Sequence, residues 1–167
     1  CESDEERDAV LADMEAFGVV GNAVILGTLL RLPHRDIEGL WTSIRRAGAL
    51  TDAKSLSNTF RALMRWQEAP PGIRAPLLAR LLSACSADMV DGRVVEDGFQ
   101  AICRLLPTKD RLAALEALAR LAPTGMGVNL AFVPCKEVAR AVGQRGRATE
   151  VARAFLEREG LRVRQKR

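Results

Sequence analysis

The chain has 167 residues and a mass of 18.2 kDa, enough for one ordinary domain or a short stack of repeats that buries roughly 70% of its unfolded surface. Hydrophobic residues make up 48% and charged residues 28%, which excludes a disordered or fibrous chain. The absence of Tyr, a single His and twenty-one Arg against four Lys, in a background of Leu and Ala, disfavour a β-sandwich and favour helices, and the net charge of +4 runs from an acidic head to a basic end.

Residues 1–15 carry seven acids and one Arg, and Ser3 followed by Glu6 forms a capping box, so an acidic N-terminal capping helix is expected over 4–17 within a segment 1–17. Ala16 to Leu30 is the longest uncharged stretch, at 15 residues, short of the ~20 that a membrane span needs. No transmembrane segment or signal peptide is expected. Val19 to Leu32 is apolar nearly all round and should be the most enclosed helix.

After Pro33, Ile37, Leu40, Trp41 and Ile44 recur at helical spacing. Thr51 then stands before Leu56, Phe60 and Leu63, and Ala69-Pro-Pro-Gly72 breaks the chain ahead of Ile73, Leu77, Leu78, Leu81 and Leu82. Asp91 precedes Val95, Phe99, Ile102 and Leu106, and Thr108 precedes Leu112, Leu115, Leu118 and Ala122. A Gly-containing loop follows, from Pro123 to Pro134. About nine short helices are predicted, and no segment shows strand alternation of useful length.

The chain also aligns with itself. Phe60-Arg-Ala-Leu-Met-Arg-Trp66 lies on Phe99-Gln-Ala-Ile-Cys-Arg-Leu105 at an offset of 39, and Val138-Ala-Arg-Ala-Val142 follows at another 39. Arg35, Arg74, Arg111 and Arg147 open successive helices at steps of 39, 37 and 36, three of them shortly after Pro33, Pro71 and Pro107. Such a period, with two helices per unit, predicts an all-α fold in which each helix pair stacks on its neighbours as an α-solenoid. The expected units span 19–48, 52–86, 91–123 and 135–160, within one domain of about four repeats over 18–160, followed by a basic tail at 161–167.

The paired amphipathic helices, the period and the Pro-then-Arg opening resemble the HEAT and armadillo class of helical repeat, which implies a right-handed superhelix and a binding role. Units rich in Ala, Leu and Arg and punctuated by Leu-Pro, as in Arg31-Leu-Pro33 and Leu105-Leu-Pro107, also resemble helical-repeat regions of some bacterial type III secretion effectors. That resemblance implies a virulence protein secreted into a host cell and binding host proteins. The loop from Pro123 to Pro134 departs from the repeat pattern.

Signals for catalysis are sparse. His34 sits between Pro33 and Arg35 at a helix start, where a surface or capping role is the simpler one. Cys1, Cys85, Cys103 and Cys135 are 84, 18 and 32 residues apart, without the close pairs of a zinc knuckle or redox site, and are expected to be free thiols in a reducing compartment. There is no Gly-x-Ser-x-Gly elbow, phosphate loop or pair of metal-spaced His, so no enzyme, cofactor or metal site is expected.

The basic balance admits an RNA-binding repeat as the alternative, but Trp41, Trp66, Phe60 and Phe99 all fall on apolar stripes and should be core rather than base-stacking platforms. The favoured function is a non-catalytic protein-interaction scaffold whose partner presents an acidic segment. Arg35, Arg74, Arg111 and Arg147 would grip it if they project from equivalent positions; otherwise each bridges to an acid or carbonyl, with Asp36, Asp110 and Glu150 near in sequence. Arg65 and Arg104, each five residues after the Phe of its helix, face away from the core in this reading. The tail residues Arg162, Arg164, Lys166 and Arg167 form either a second acidic-partner surface or a solvated terminus.

Overall fold

The computed structural model describes residues 4–19, 23–31, 37–67, 69 and 72–164. Ser3, Pro33, His34, Arg35, Asp36, Pro71, Lys166 and Arg167 lie outside the described residues. The fold is all-α: α1 (Asp4–Ala16), α2 (Ala23–Arg31), α3 (Ile37–Arg46), α4 (Ala53–Arg65), α5 (Arg74–Ala84), α6 (Gly92–Leu105), α7 (Thr108–Leu121), α8 (Cys135–Ala141) and α9 (Ala148–Arg158). A single 3-10 turn at Ala87–Met89 separates α5 from α6.

The 39-residue offset reappears in the helix starts. Asp52 caps α4 by accepting the Ser55 amide at 2.7 Å, and Asp91 caps α6 by accepting the Val94 amide at 2.8 Å. The first cap therefore falls one residue later than Thr51, whose hydroxyl instead donates to the Gly48 carbonyl at 2.9 Å. The amide bond from Ser55 holds the Asp52 carboxyl below its ordinary range, because it favours the charged form.

The apolar stripes predicted from spacing face one continuous core. Phe60 and Phe99, 39 residues apart, are both fully buried, and each is worth roughly 1.5–3 kcal/mol of transfer free energy. Helix α4 packs against both α2 and α6, while α7 packs on α6 and α8, and α8 packs on α9. Phe155 of α9 meets Phe99 of α6 with ring centroids 6.2 Å apart in a tilted arrangement. Helix α2 buries Leu26, Leu29 and Leu30 but exposes Thr28, so it is not enclosed all round as its composition suggests. Helix α6 buries nine of its fourteen residues.

One element goes beyond the sequence reading. Gly127–Val128 (β1) and Arg162–Val163 (β2) form a parallel pair, with Gly127 opposite Arg162 and Val128 opposite Val163. Two residues a side are too few for alternation to register, and the pairing is carried by backbone bonds: Arg162 N–H to Met126 O at 2.8 Å and Arg164 N–H to Val128 O at 2.7 Å. Gly160 makes the turn into β2 with a φ of 81°, a left-handed conformation that favours glycine. The loop that departs from the repeat pattern is thereby tied to the end of the chain. Leu161 is buried and Arg162–Val163 are paired, so the start of the expected basic tail is part of the fold.

Candidate interaction surfaces

The six arginines singled out by the repeat are placed in different environments. Arg65 and Arg104 occupy matching positions in the last turns of α4 and α6; both are exposed, and neither has an ion-pair partner among the described residues. A cation at a helix C-terminus also complements the helix dipole, worth roughly 0.3–1 kcal/mol, so their exposure comes at no electrostatic cost to the helices. Arg74, the first residue of α5, is half-buried. Arg111 is held inside the fold: its Nε donates to the Leu106 carbonyl at 2.9 Å and a terminal nitrogen to Glu137 of α8 at 3.0 Å. Arg147 is exposed and pairs locally with Glu150 at 3.4 Å. Arg35 and Asp36 lie outside the described residues.

Other arginines join helices to one another. Arg80 of α5 makes a two-pronged bond to Glu38 of α3, and Arg158 of α9 reaches Glu116 of α7 at 2.9 Å. Arg46 of α3 pairs with Glu15 and Asp8 of α1. The Glu38–Arg80 and Glu116–Arg158 pairs occupy positions 78 residues apart, twice the 39-residue offset.

A polar cleft of about 410 Å³ opens beside the start of α6. Arg61 of α4 enters from one side and is bonded through its Nε to the buried Asp97 at 2.9 Å; Asp97 also accepts the Ser57 hydroxyl. Asp97 is the buried member, at 8% side-chain exposure against 38% for Arg61, so losing Arg61 would leave a desolvated carboxylate held by Ser57 alone. Glu96 accepts the Asn129 amide at 2.6 Å, and the Asn129 side chain accepts the Ala131 amide at 3.0 Å, which fixes the turn that carries Phe132. Phe132 stands 55% exposed on the cleft wall.

Arg164, which directly follows β2, also lines the cleft. Its side chain lies across two glycines: a Cβ on Gly92 would stand 2.8 Å from an Arg164 terminal nitrogen, and a Cβ on Gly127 would stand 2.9 Å from the Arg164 Cγ. Arg93 completes the lining from α6. Arg61, Arg93 and Phe132 carry no spacing that marks them in the sequence, since four separate segments meet here. The signal that was available is the pair of glycines, Gly92 directly after a cap and Gly127 in the loop.

A second concavity, of about 500 Å³, is an apolar groove between α5 and α7 lined by Ala75, Ala79, Leu82, Ala114 and Ala117. The described cysteines, Cys85, Cys103 and Cys135, have the character of packing residues, while Cys1 lies outside the described residues. Burial pushes the Cys85 thiol up to about 11 and the Cys103 thiol up to about 12, and raises Cys135 as well, so none is a ready thiolate at neutral pH. Phe60, Phe99 and Trp66 are buried, and Trp41 is partly buried against the core. Among the described residues no group of three or more His, Cys, Asp and Glu is arranged to hold a metal, and no helix is long and apolar enough to cross a membrane. No protein-family model matches the chain, and no curated protein or solved structure matches it.

Proposed function

We propose that the chain is a non-catalytic protein-interaction scaffold, a short HEAT-like α-solenoid that presents arginines to an acidic segment of its partner. The observation that carries this reading is the pair Arg65 and Arg104. They sit 39 residues apart at matching ends of two helices packed on each other, exposed and without an ion pair among the described residues, while Arg46, Arg80, Arg111 and Arg158 are committed to bonds within the fold. Uncommitted guanidiniums at a fixed spacing suit bidentate recognition of carboxylates.

Support for the stacked arrangement comes from recurrence. The caps of α4 and α6, their buried Phe residues and the two inter-helix Arg–Glu bridges all repeat in step with one offset. Burial of Phe60, Phe99 and Trp66 removes those three aromatics as base-stacking platforms, while Phe17 and Phe132 remain exposed. The resemblance to secreted effectors makes host-cell extract the first place to seek that partner.

The test is a pull-down from host and bacterial extracts with the wild-type chain beside Arg65→Glu/Arg104→Glu, half of each sample treated with nuclease. A discrete protein retained by the wild type after nuclease and lost by the variant is expected, with unchanged far-UV circular dichroism. Retention by both proteins would remove these two arginines from the docking surface, and retention that vanishes with nuclease would put RNA first.

A further inference from the structure

We propose that the cleft beside the start of α6 is a binding site for a phosphorylated side chain on a peptide, with Arg93 and Arg164 as its anion-binding residues and Phe132 as an apolar platform beside them. The proposal deepens the scaffold reading and rests on it, since it supplies a chemical class for one segment of a protein partner.

Most of the charges in the cleft are already engaged. Six ionic side chains line it, three of each sign. Asp97 is bound by Arg61 and Ser57, Glu96 by the Asn129 amide, and Asp91 by the Val94 amide of the helix it caps. Because Asp91 already occupies an amide at the start of α6, the helix terminus is not what the cleft offers. Arg93 and Arg164 alone among the six have neither an ion pair nor a side-chain hydrogen bond among the described residues. What remains for an incoming group is therefore donors: two guanidinium forks, one from α6 and one from the residue directly after β2.

Two guanidinium forks carry two positive charges, which a phosphate monoester, with three terminal oxygens and close to two negative charges, matches more fully than a single carboxylate does. The Arg164 wall is built rather than incidental. Its backbone is pinned by the bond to Val128, and Gly92 and Gly127 leave the room its side chain occupies. Phe132 lines the same cleft, held by the turn that Glu96 anchors, and is the exposed aromatic offered to the residue next to the phosphorylated one.

The experiment uses the full chain and fluorescence anisotropy with a labelled, sequence-degenerate pool of phosphoserine peptides. Its controls are the same pool unphosphorylated, the pool with Glu in place of phosphoserine, inorganic phosphate as competitor and a single-stranded RNA of mixed sequence. The phosphorylated pool is expected to bind and the unphosphorylated pool to bind about ten-fold more weakly or worse, with Arg93→Ala and Arg164→Ala each costing about ten-fold, the loss of one charge-assisted fork. Gly127→Val, which pushes Arg164 off its seat without removing a charge, should weaken binding in the same direction. Equal binding of the three pools overturns the proposal, as does full binding by both Arg variants. Inorganic phosphate that competes in proportion to its charge alone, or RNA that binds through Arg93 and Arg164 more tightly than the peptides, overturns the peptide as the source of the anion. If no pool binds while the wild type still retains a discrete partner that Arg65→Glu/Arg104→Glu loses, the cleft proposal fails and the scaffold reading stands.

Discussion

Asp97 puts a carboxylate into the seam between α4 and α6, and its two partners, Ser57 and Arg61, both come from the neighbouring helix. The residues 39 positions from this set do not reproduce it: Asn58 stands where Asp97 does, and Gln100 where Arg61 does. The bond therefore belongs to one seam and fixes how α6 sits on α4, which an alignment of repeats cannot reveal. The thiols act at the same scale in a different way. Burial raises Cys85 to about 11 and Cys103 to about 12, above the roughly 8.5 of an exposed thiol. A group whose pKa is raised on folding binds its proton more tightly in the native state, so its contribution to stability is complete below about pH 8.5 and is lost as pH climbs through the folded values. Because the chain has no Tyr, no phenol titrates alongside the thiols. Melting curves from pH 7.5 to 10.5 should show the wild type losing more of its pH 7.5 melting temperature than Cys85→Ala/Cys103→Ala; parallel pH profiles would show that these thiols carry no linkage.

Helix α6 is the element on which its neighbours converge, and Gly98 is what lets them approach. A Cβ at that position would clash with Leu118 of α7 and stand 3.2 Å from the Phe60 ring of α4. Leu118 and Phe60 are themselves buried and have nowhere to move. Helix propensity alone would make Gly98→Ala stabilising by about 1 kcal/mol, whereas overpacking a filled core costs about 1–3 kcal/mol. Packing should win, and urea unfolding of Gly98→Ala is expected to give a lower midpoint than wild type with an unchanged slope; a higher midpoint would mean that α4, α6 and α7 are less closely packed than described. The helices themselves were legible because apolar spacing at three and four survives in any sequence that must bury one face, and Asp91 marked a true start. Thr51 misled by one position, since Asp52 beside it accepts the Ser55 amide more effectively than a hydroxyl would. The β1–β2 pair and the cleft it shapes were illegible, because a pairing in register between residues 35 positions apart leaves no periodic trace and glycines read alone signify only turns.

Across the whole molecule the contacts run mainly between helices near one another in sequence, with α2 joined to α4, α4 to α6, and α9 reaching α6 through Phe155 and Phe99. A linear stack has stability that is a sum of unit and interface contributions, so a defect at one end should loosen that end first. A closed bundle with one indivisible core would instead lose protection everywhere together. Phe155 offers the discriminating site, being 3% exposed and far in sequence from α2 and α3. Truncating such a side chain to Ala costs about 3–5 kcal/mol. Hydrogen exchange on Phe155→Ala should show protection falling steeply in α8 and α9, less in α6 and α7, and little in α2 and α3, if helix pairs are stacked as proposed. Uniform loss from α2 to α9 would refute the stack and make the 39-residue offset a property of the sequence without a matching division of the fold. The graded result would also explain how such a chain serves as a scaffold: units that loosen independently adjust their spacing to a partner, and arginines set one repeat apart at Arg65 and Arg104 move with them.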